Sequence, residues 1–502
     1  MENILDSAWL GLTVAVQGQN LLMAFVGVLV GTLIGVLPGI GPLATMAMLL
    51  PISFYVPAEA AIIMLAGIYY GAQYGGSTTA ILVNMPGEAS AAVTCIDGYQ
   101  MARKGRGGAA LAVAAIGSFI GASTGILVIM LFAIPLSSLA LAFTPADYFS
   151  LMFFGLIGST LLARGSLLKA IGMILVGILI GSIGTDASSG TQRFTWGVLE
   201  LYEGLDITPI AVGIFGIAEV IRNLATHSLG VGAQVEKVTS LMPTRAEMRD
   251  AFPAMLRGSA IGSVLGVLPG GGALLSSFAS YTVEKKLARK PDEFGHGAIQ
   301  GVAGPETANN AGAQTSFIPM LTLGIPSNAI MAILIGALMI QGVVPGPQVM
   351  TERPGLVWGL IMSMWIGNIM LVIINLPLVG LWVSLLRIPY RILFPCIVLF
   401  SAIGVYSINN STFDLYAAAF LGLLGYVFVK LDCEPTPLIL GLILGPAMEE
   451  NFGRAMQLSR GDPSTFFTHP ISLGFLIASA LMVAMIALPF MRKSRETVFV
   501  ED

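Results

Sequence analysis

Apolar runs long enough to cross a bilayer recur along the whole chain, divided by short polar and charged connections. Alternation with a period of two, the mark of a membrane β-barrel, is not seen. The pattern predicts an all-α polytopic membrane protein. Residues 4–16 look like a short surface or partly inserted helix, so 1–17 is set apart. After a re-entrant segment at 20–51, crossings are predicted near 58–86, 109–135, 147–163, 166–185 and 206–225. A second re-entrant segment at 251–283 precedes crossings near 298–340, 355–386, 392–409, 413–430 and 434–448, and a last helix at 471–491. Residues 251–283 are too short for two full spans of about 20 residues each, which predicts a helical hairpin. A tilted broken helix is the alternative there. The total is about eleven crossings plus two re-entrant hairpins.

Two of these runs are broken by one phrase. Residues 35–42 read Gly-Val-Leu-Pro-Gly-Ile-Gly-Pro and residues 266–273 read Gly-Val-Leu-Pro-Gly-Gly-Gly-Ala. Proline removes a backbone donor and glycine admits dihedrals that other residues avoid, so each phrase stops a helix. In a membrane the freed backbone groups are tolerated only where they line a cavity or bind something. Paired breaks in matching halves point to a transport site.

Further matches extend the duplication. Gly71-Ala72-Gln73 recurs as Gly312-Ala313-Gln314, each followed by a proline (Pro86, Pro326), and Thr208-Pro209 recurs as Thr436-Pro437. The offsets are 231, 241 and 228 residues in chain order. They predict a first transmembrane repeat at 18–226, a linker at 227–249, a second repeat at 250–455, a loop at 456–470, the last helix and a tail at 492–502. Basic residues then orient the chain. In the first half they fall at Arg103-Lys104-Arg106, Arg164, Lys169 and in the linker; in the second at Lys285, Lys286, Arg289, Lys290, Arg387, Arg391 and Lys430. These sets are out of phase between the halves, so the positive-inside rule predicts two repeats of inverted topology, with the linker and the C-terminus cytoplasmic and 456–470 periplasmic.

Composition narrows the chemistry. Hydrophobic residues make up 55% and charged residues 10%, and the mean hydropathy is +0.85; nothing resembles a basic nucleic-acid surface. Cys95, Cys396 and Cys433 have no metal-ligand spacing. The N-terminus lacks the basic start and small-residue cleavage site of a signal peptide. His227, His296 and His469 are predicted outside the membrane and form no His-Glu-x-x-His pattern, which disfavours an intramembrane hydrolase.

At each tip the emerging helix offers free N–H groups, suited to a carboxylate, and the preceding helix offers free carbonyls, suited to Na⁺. Candidates for substrate are Gly39, Gly41, Pro42, Gly270, Gly271 and Gly272, although such glycines also serve close helix packing. Two polar segments join them: Gln-Tyr-Gly-Gly-Ser-Thr-Thr at 73–79, followed by Asn84-Met85-Pro86-Gly87-Glu88, and 306–316, followed by Gly324-Ile325-Pro326-Ser327-Asn328. From these, Ser77, Thr78, Thr79, Asn309, Asn310, Thr315 and Ser316 are further substrate candidates. Pro38, Asn84, Pro269, Gln314, Ser327 and Asn328 are candidates for the cation. Ser and Thr at membrane depth also bond their own helix. No Lys or Arg lies between 18 and 102, so a carboxylate would be neutralised by helix ends, hydroxyls and a co-bound cation. Glu88, Asp97, Glu219 and Glu306 are candidates by position. Most sit near predicted helix ends, where solvated caps are expected; Glu306, beside the Asn-Asn pair, is the one to test.

The two Pro-Gly phrases, Tyr70-Gly71-Ala72-Gln73-Tyr74-Gly75-Gly76-Ser77-Thr78-Thr79, Asn84-Met85-Pro86-Gly87-Glu88, Glu306-Thr307-Ala308-Asn309-Asn310-Ala311 and Gly324-Ile325-Pro326-Ser327 resemble the TctA family over nearly the whole chain. These are the large membrane subunits of tripartite tricarboxylate transporters. The resemblance implies cation-driven secondary transport of carboxylates across the bacterial inner membrane. It also implies two partners, a periplasmic solute-binding protein and a small four-helix membrane subunit, and no cofactor beyond the coupling cation, with Na⁺ the expected one. Family substrates include citrate, other di- or tricarboxylates and some aromatic acids. Together these readings give a carboxylate importer of elevator type; the alternative is an ion exchanger or channel using the same broken helices without a binding protein.

Overall fold

The structure, a computed structural model, describes residues 4–37, 41–162, 166–186, 190–226, 242–268, 272–385 and 390–487. The centres of the two phrases, Pro38-Gly39-Ile40 and Pro269-Gly270-Gly271, lie outside the described residues, as does most of the linker.

Helices α1 (Ile4–Ala15), α2 (Gly18–Val36) and α3 (Gly41–Leu49) open the chain and a 3₁₀ turn at Leu50–Tyr55 leads into α4 (Ala58–Val83). Helical turns, among them α5 (Ala92–Thr94) and π-helical segments at Cys95–Tyr99 and Ala102–Arg106, connect to α6 (Gly107–Ala140). There follow α7 (Pro145–Leu162), α8 (Leu167–Gly181) and a small antiparallel ladder of β1 (Gly184–Thr185) with β2 (Gln192–Arg193). Helices α9 (Ile207–Ala211) and α10 (Ala218–Thr226), joined through the π turn Val212–Ile217, close the first half.

The second half comprises α11 (Arg245–Leu265), α12 (Gly272–Leu287), α13 (Gln300–Thr315), α14 (Phe317–Leu323), α15 (Ala329–Ile340), α16 (Val349–Glu352), α17 (Pro354–Asn375) and α18 (Val379–Leu385). After it come α19 (Tyr390–Asn409), α20 (Thr412–Lys430), α21 (Thr436–Leu458), α22 (Thr465–Thr468) and α23 (Pro470–Ala487). Among the described residues, five helical stretches are long and apolar enough to cross a membrane, and several shorter apolar helices accompany them. This is a multi-pass membrane architecture.

Both phrases break a helix as expected, α2 from α3 and α11 from α12. Helix directions follow from close backbone contacts at glycine. A Cβ added at Gly27, Gly31 or Gly35 would lie 2.3, 2.4 and 2.4 Å from the carbonyl oxygens of Met64, Ile68 and Ala72. The two numberings rise together, so α2 and α4 run parallel, and α3 must return the chain to the face where α2 began. In the second half Gly258, Gly262 and Gly266 meet the carbonyls of Gly304, Ala308 and Gly312 at 2.4, 2.3 and 2.5 Å. Helix α11 is therefore parallel to α13, while Ser276 and Ser280 of α12 meet Gly312 and Gly304 in antiparallel order. Each phrase thus sits at the turn of a hairpin whose arms start and end on one face. In lipid, where association rests on van der Waals contact, small residues permit such an approach.

The two hairpin units oppose each other. Ser77 of α4 bonds Glu306 of α13 at 2.6 Å, and the Tyr69 and Phe317 rings lie 6.3 Å apart. One numbering falls as the other rises, so α4 is antiparallel to α13 and α14. The last helices are exchanged reciprocally: Gly213, in the π turn after α9, packs on Ala418 of α20, and Gly441 of α21 packs on Ile174 of α8. Long-range ties join loops that share a predicted side. Arg106 pairs with Glu247, Lys104 donates to the His296 carbonyl at 2.5 Å and Lys169 to that of Leu431 at 2.6 Å. On the other side Arg193 donates to Glu449 at 2.6 Å and Asn409 to Asp206 at 3.3 Å.

Several expectations change. The match of Gly71 with Gly312 is one residue off the packing register, because Ala72 and Gly312 hold the equivalent contacts. Gly71 faces α2 whereas Gly312 faces α12; one residue is about 100° around a helix. The predicted crossing at 298–340 is three helices, broken where Gly324 takes φ 71° and Pro326 follows. The stretch 89–106 is largely helical, and α21 continues to Leu458, ten residues past the predicted end, with its exposed Glu450 and Arg454 paired at 2.5 Å.

Candidate functional site

Helices α4 and α13 pass each other in the buried centre, and their polar segments meet there. Gln73, Ser77, Thr78, Thr79, Glu306, Asn309, Asn310, Gln314, Thr315 and Ser316 are all buried. The loop after α4 folds back into this layer: Gly87 is wedged between Gly35, Gly76 and Thr79, where a Cβ would lie 2.0 Å from the Gly35 carbonyl. That return delivers Glu88, Ser90 and Thr94.

Glu306 has both carboxylate oxygens occupied by hydroxyls. Ser77 Oγ donates to Oε2 at 2.6 Å and Thr94 Oγ1 donates to Oε1. Beside it Ser90 Oγ lies within reach of Asn309 Oδ1 at 2.9 Å, Gln73 Oε1 at 3.0 Å and Glu88. One hydroxyl hydrogen can serve only one of these acceptors at a time. Asn309 Nδ2 donates to Glu88 Oε1 at 3.3 Å. Asn310 Nδ2 donates to Ser118 Oγ at 2.7 Å. Buried Gln73 Nε2, Asn310 Oδ1 and Gln314 Oε1 find no partner among the described residues, leaving hydrogen-bonding capacity for a ligand.

The shoulders of the two tips are built alike. Thr79 Oγ1 donates within its helix to the Gly76 carbonyl at 3.0 Å and reaches the Gly35 carbonyl at 3.4 Å. Ser316 Oγ does the same with Gly312 at 2.7 Å and Gly266 at 3.2 Å, and Thr315 Oγ1 with Ala311 at 3.1 Å and Gly262 at 3.4 Å. The carbonyls of Gly35 and Gly266 lie at the C-terminal ends of α2 and α11, where the last helical acceptors lack intrahelical partners. Each shoulder therefore gathers backbone and hydroxyl oxygens, donors of the kind a hard cation takes. On the far side α3 and α12 begin at glycines of positive φ, 68° at Gly41 and 43° at Gly272. Thr45 and Ser276 donate to the carbonyls of those two glycines at 2.8 and 2.7 Å. Gly272 faces Asn328 Nδ2 and Ser316 Oγ across 3.1 and 3.5 Å from an added Cβ. Pro42 is buried in the first turn of α3 and has no N–H to offer.

The remaining candidates separate. Ser327 Oγ donates to the Ser316 carbonyl at 3.2 Å, and Asn328 caps α15 by accepting from Met331 N at 3.0 Å while donating to Ser316 Oγ at 3.4 Å. Asn84 is exposed at the C-cap of α4 with φ 57°, the place Gly324 takes after α14. Asn tolerates that left-handed conformation, and this accounts for Asn84 without a ligand. Gly39, Gly270, Gly271, Pro38 and Pro269 lie outside the described residues.

The acidic candidates are not all solvated caps. Glu306 is fully buried. Asp97 is buried too, with Oδ1 accepting from the amides of Gly295, Gly297 and Ala298 at 2.9, 2.7 and 2.9 Å and Oδ2 from Tyr281 at 2.9 Å. It fastens the turn before α13. Glu219 is half-buried within the helical stretch Ile207–Ala225, where Arg222 and Asn223 donate to its carboxylate. Ser90, Thr94, Ser118 and Asn368 were not singled out from sequence. Asn368 Oδ1 accepts from Tyr74 OH at 2.8 Å, and Asn368 and Asn375, seven residues apart on apolar α17, gave a usable signal. A narrow cavity lined by Tyr74, Ser77, Thr78, Ser118 and Asn375 opens beside this layer.

The family model described as the tripartite tricarboxylate transporter TctA family matches residues 21–440. The chain belongs to this family. TctA proteins are transporter components, which places this chain among them. It is 55% identical over its full length, and the relative's, to an Agrobacterium vitis protein named "Uncharacterized 52.8 kDa protein in TAR-I ttuC' 3'region". It is 60% identical over 48% of its length to the whole of an "Uncharacterized protein in TAR-II ttuC' 3'region" of the same organism. No solved structure matches the chain.

Proposed function

We propose that this TctA protein is the large subunit of a cation-coupled importer of di- or tricarboxylates in the bacterial inner membrane, with its C-terminus cytoplasmic. In this reading two repeats of inverted topology place the hairpin tips at a shared midplane site. A periplasmic solute-binding protein delivers the substrate, and a small four-helix membrane subunit completes the complex. The observation that carries it is the pair of opposed hairpins meeting one buried layer of hydroxyls and amides between α4 and α13. Antiparallel α4 and α13 and the reciprocal packing of the last helices support inversion.

The roles divide by chemistry. The oxygens around Gly35–Thr79 and Gly266–Ser316 suit Na⁺, and the helix starts at Gly41 and Gly272 suit the substrate carboxylates. Bound Na⁺ lowers the cost of bringing an anion into low dielectric. Among the described residues the cavity beside Ser77 is narrow, and in this reading relative motion opens the site. An elevator movement of the hairpin units against the later helices supplies it.

The test is uptake of a panel of citrate, succinate and benzoate by the reconstituted complex, with and without a Na⁺ gradient. Na⁺-dependent uptake that requires the binding protein is expected. Cation exchange in vesicles without any organic anion would overturn the importer reading in favour of an ion exchanger.

A further inference from the structure

Glu306 is a carboxylate at the centre of the molecule, fully buried, with neutral hydroxyls as its side-chain partners. An ionised carboxylate held in low dielectric without a cationic partner is costly, and it escapes that cost by taking a proton. Among the described residues, the groups that face it carry no positive charge. Tyr74 on α4, Cys95 after α5 and Glu88 in the returning loop face it. On the elements packed behind α13 the two buried carboxylates are already engaged. Asp97 is held by the 295–298 amides, and Glu284 of α12 is gripped by Arg257 of α11 at 2.7 and 2.5 Å. Helix α6 contributes Ser118, which is neutral.

A cavity adjoins its hydroxyl partner. Ser77 lines the cavity and at the same time donates to Glu306 Oε2 at 2.6 Å. We propose that Glu306 is a proton-binding site of the transport cycle, loaded from the cavity through Ser77. In the step, the Ser77 hydroxyl hydrogen passes to Glu306 Oε2 as Ser77 Oγ takes a proton from a cavity water, and the resulting hydroxide is neutralised by bulk buffer. Glu306 becomes a neutral acid and Ser77 is regenerated. Because Ser77 belongs to α4 and Glu306 to α13, the proton sits on the contact between the two opposed hairpin units. Its presence removes one negative charge from the layer into which an anionic substrate must come. This rests on the transport reading above and adds a proton to its coupling ions.

Infrared difference spectroscopy of the purified full chain, titrated from about pH 9 to about pH 5 without substrate, tests the site. A protonated-carboxyl C=O band should grow on acidification in the wild type, and the component lost in Glu306→Gln should persist in Glu88→Gln and Glu219→Gln. Ser77→Ala should leave the band but slow its appearance after a pH jump. Size-exclusion behaviour and thermal stability check that each variant is folded. No titrating band lost on Glu306→Gln overturns the proton site, whatever the transport assays give. Coupling is then read in proteoliposomes holding the complex: an imposed inward proton gradient should raise citrate uptake several-fold at fixed Na⁺. Citrate uptake that is Na⁺-driven but indifferent to the proton gradient refutes coupling and spares the importer. Failure of citrate, succinate and benzoate alike to be taken up, with the titrating band intact, counts against the importer reading and leaves the proton site standing.

Discussion

Gly31→Ala is the most direct perturbation of the first hairpin. The added Cβ would stand 2.4 Å from the Ile68 carbonyl oxygen, 2.8 Å from its Cα and 2.9 Å from its carbonyl carbon, all backbone atoms that cannot swing aside. Ordinary contact begins at 3.4 Å, so α2 must move from α4 by about 1 Å. A gap of that size forfeits a quarter to a half of each van der Waals well along the seam, and overpacking of this kind costs about 1–3 kcal/mol. The exchange of Gly for Ala inside a helix returns up to about 1 kcal/mol. With the full return taken, the net expectation is a loss of up to about 2 kcal/mol.

Gly172→Ala is the matched control, lying inside α8 with nothing within 4 Å of the new Cβ. It should be neutral or slightly stabilising. Thermal unfolding followed by fluorescence-detected size exclusion compares the two. Displacing α2 also draws the Gly35 carbonyl away from Thr79, so citrate uptake by Gly31→Ala should fall further than its stability loss explains. Equal melting temperatures for the two variants would refute the parallel, glycine-to-carbonyl packing of α2 on α4.

Three more expectations follow from the site and its supports. Thr79→Val removes the hydroxyl that reaches the Gly35 carbonyl and should raise the Na⁺ concentration for half-maximal uptake about tenfold, for a lost interaction of about 1.4 kcal/mol; an unchanged Na⁺ dependence removes Thr79 from the cation site. Asp97→Asn weakens the clasp on the 295–298 turn and should cost about 1.5–3 kcal/mol in thermal stability, and a loss below the scatter of surface variants would contradict the clasp. At the solvent end of α11, burial pushes the Glu247 carboxyl up, but the Thr244 amide and hydroxyl and the Arg106 guanidinium outweigh it and hold it below its ordinary value. A depressed carboxylate stabilises the fold above the unfolded pKa of about 4.3 and loses that contribution as pH falls through the folded value. Glu247→Gln should therefore melt below the wild type at neutral pH, with the gap closing as pH falls below about 4.3; a gap that stays constant down to about pH 2 would exclude the charge as its source.

Much of the candidate site could be read from residue order. The breaks at the two Pro-Gly phrases depend on proline and glycine backbone chemistry, which is local. The polar runs around Ser77 and Asn309 stand out because hydroxyls and amides are rare in apolar spans. Glu306 was visible for the same reason. Ser90 and Thr94 were not, since the 89–106 stretch has the look of a charged cytoplasmic loop and only its return beneath Gly35 brings those hydroxyls inward. Asn84 drew attention as a polar residue beside proline, whereas its backbone conformation explains it.

The sequence by itself determined the helical class and the two interruptions, because hydropathy and backbone freedom are properties of short segments. Tertiary structure alone decided the packing register: Gly71 faces α2 whereas Gly312 faces α12, and only helix packing fixes that angle. It also decided which carboxylates are buried. Asp97 and Glu306 are both acidic residues near predicted ends, but one closes a turn on backbone amides and the other faces two hydroxyls from the opposing unit. That difference arises where α4 and α13 cross, between residues more than two hundred positions apart in the chain.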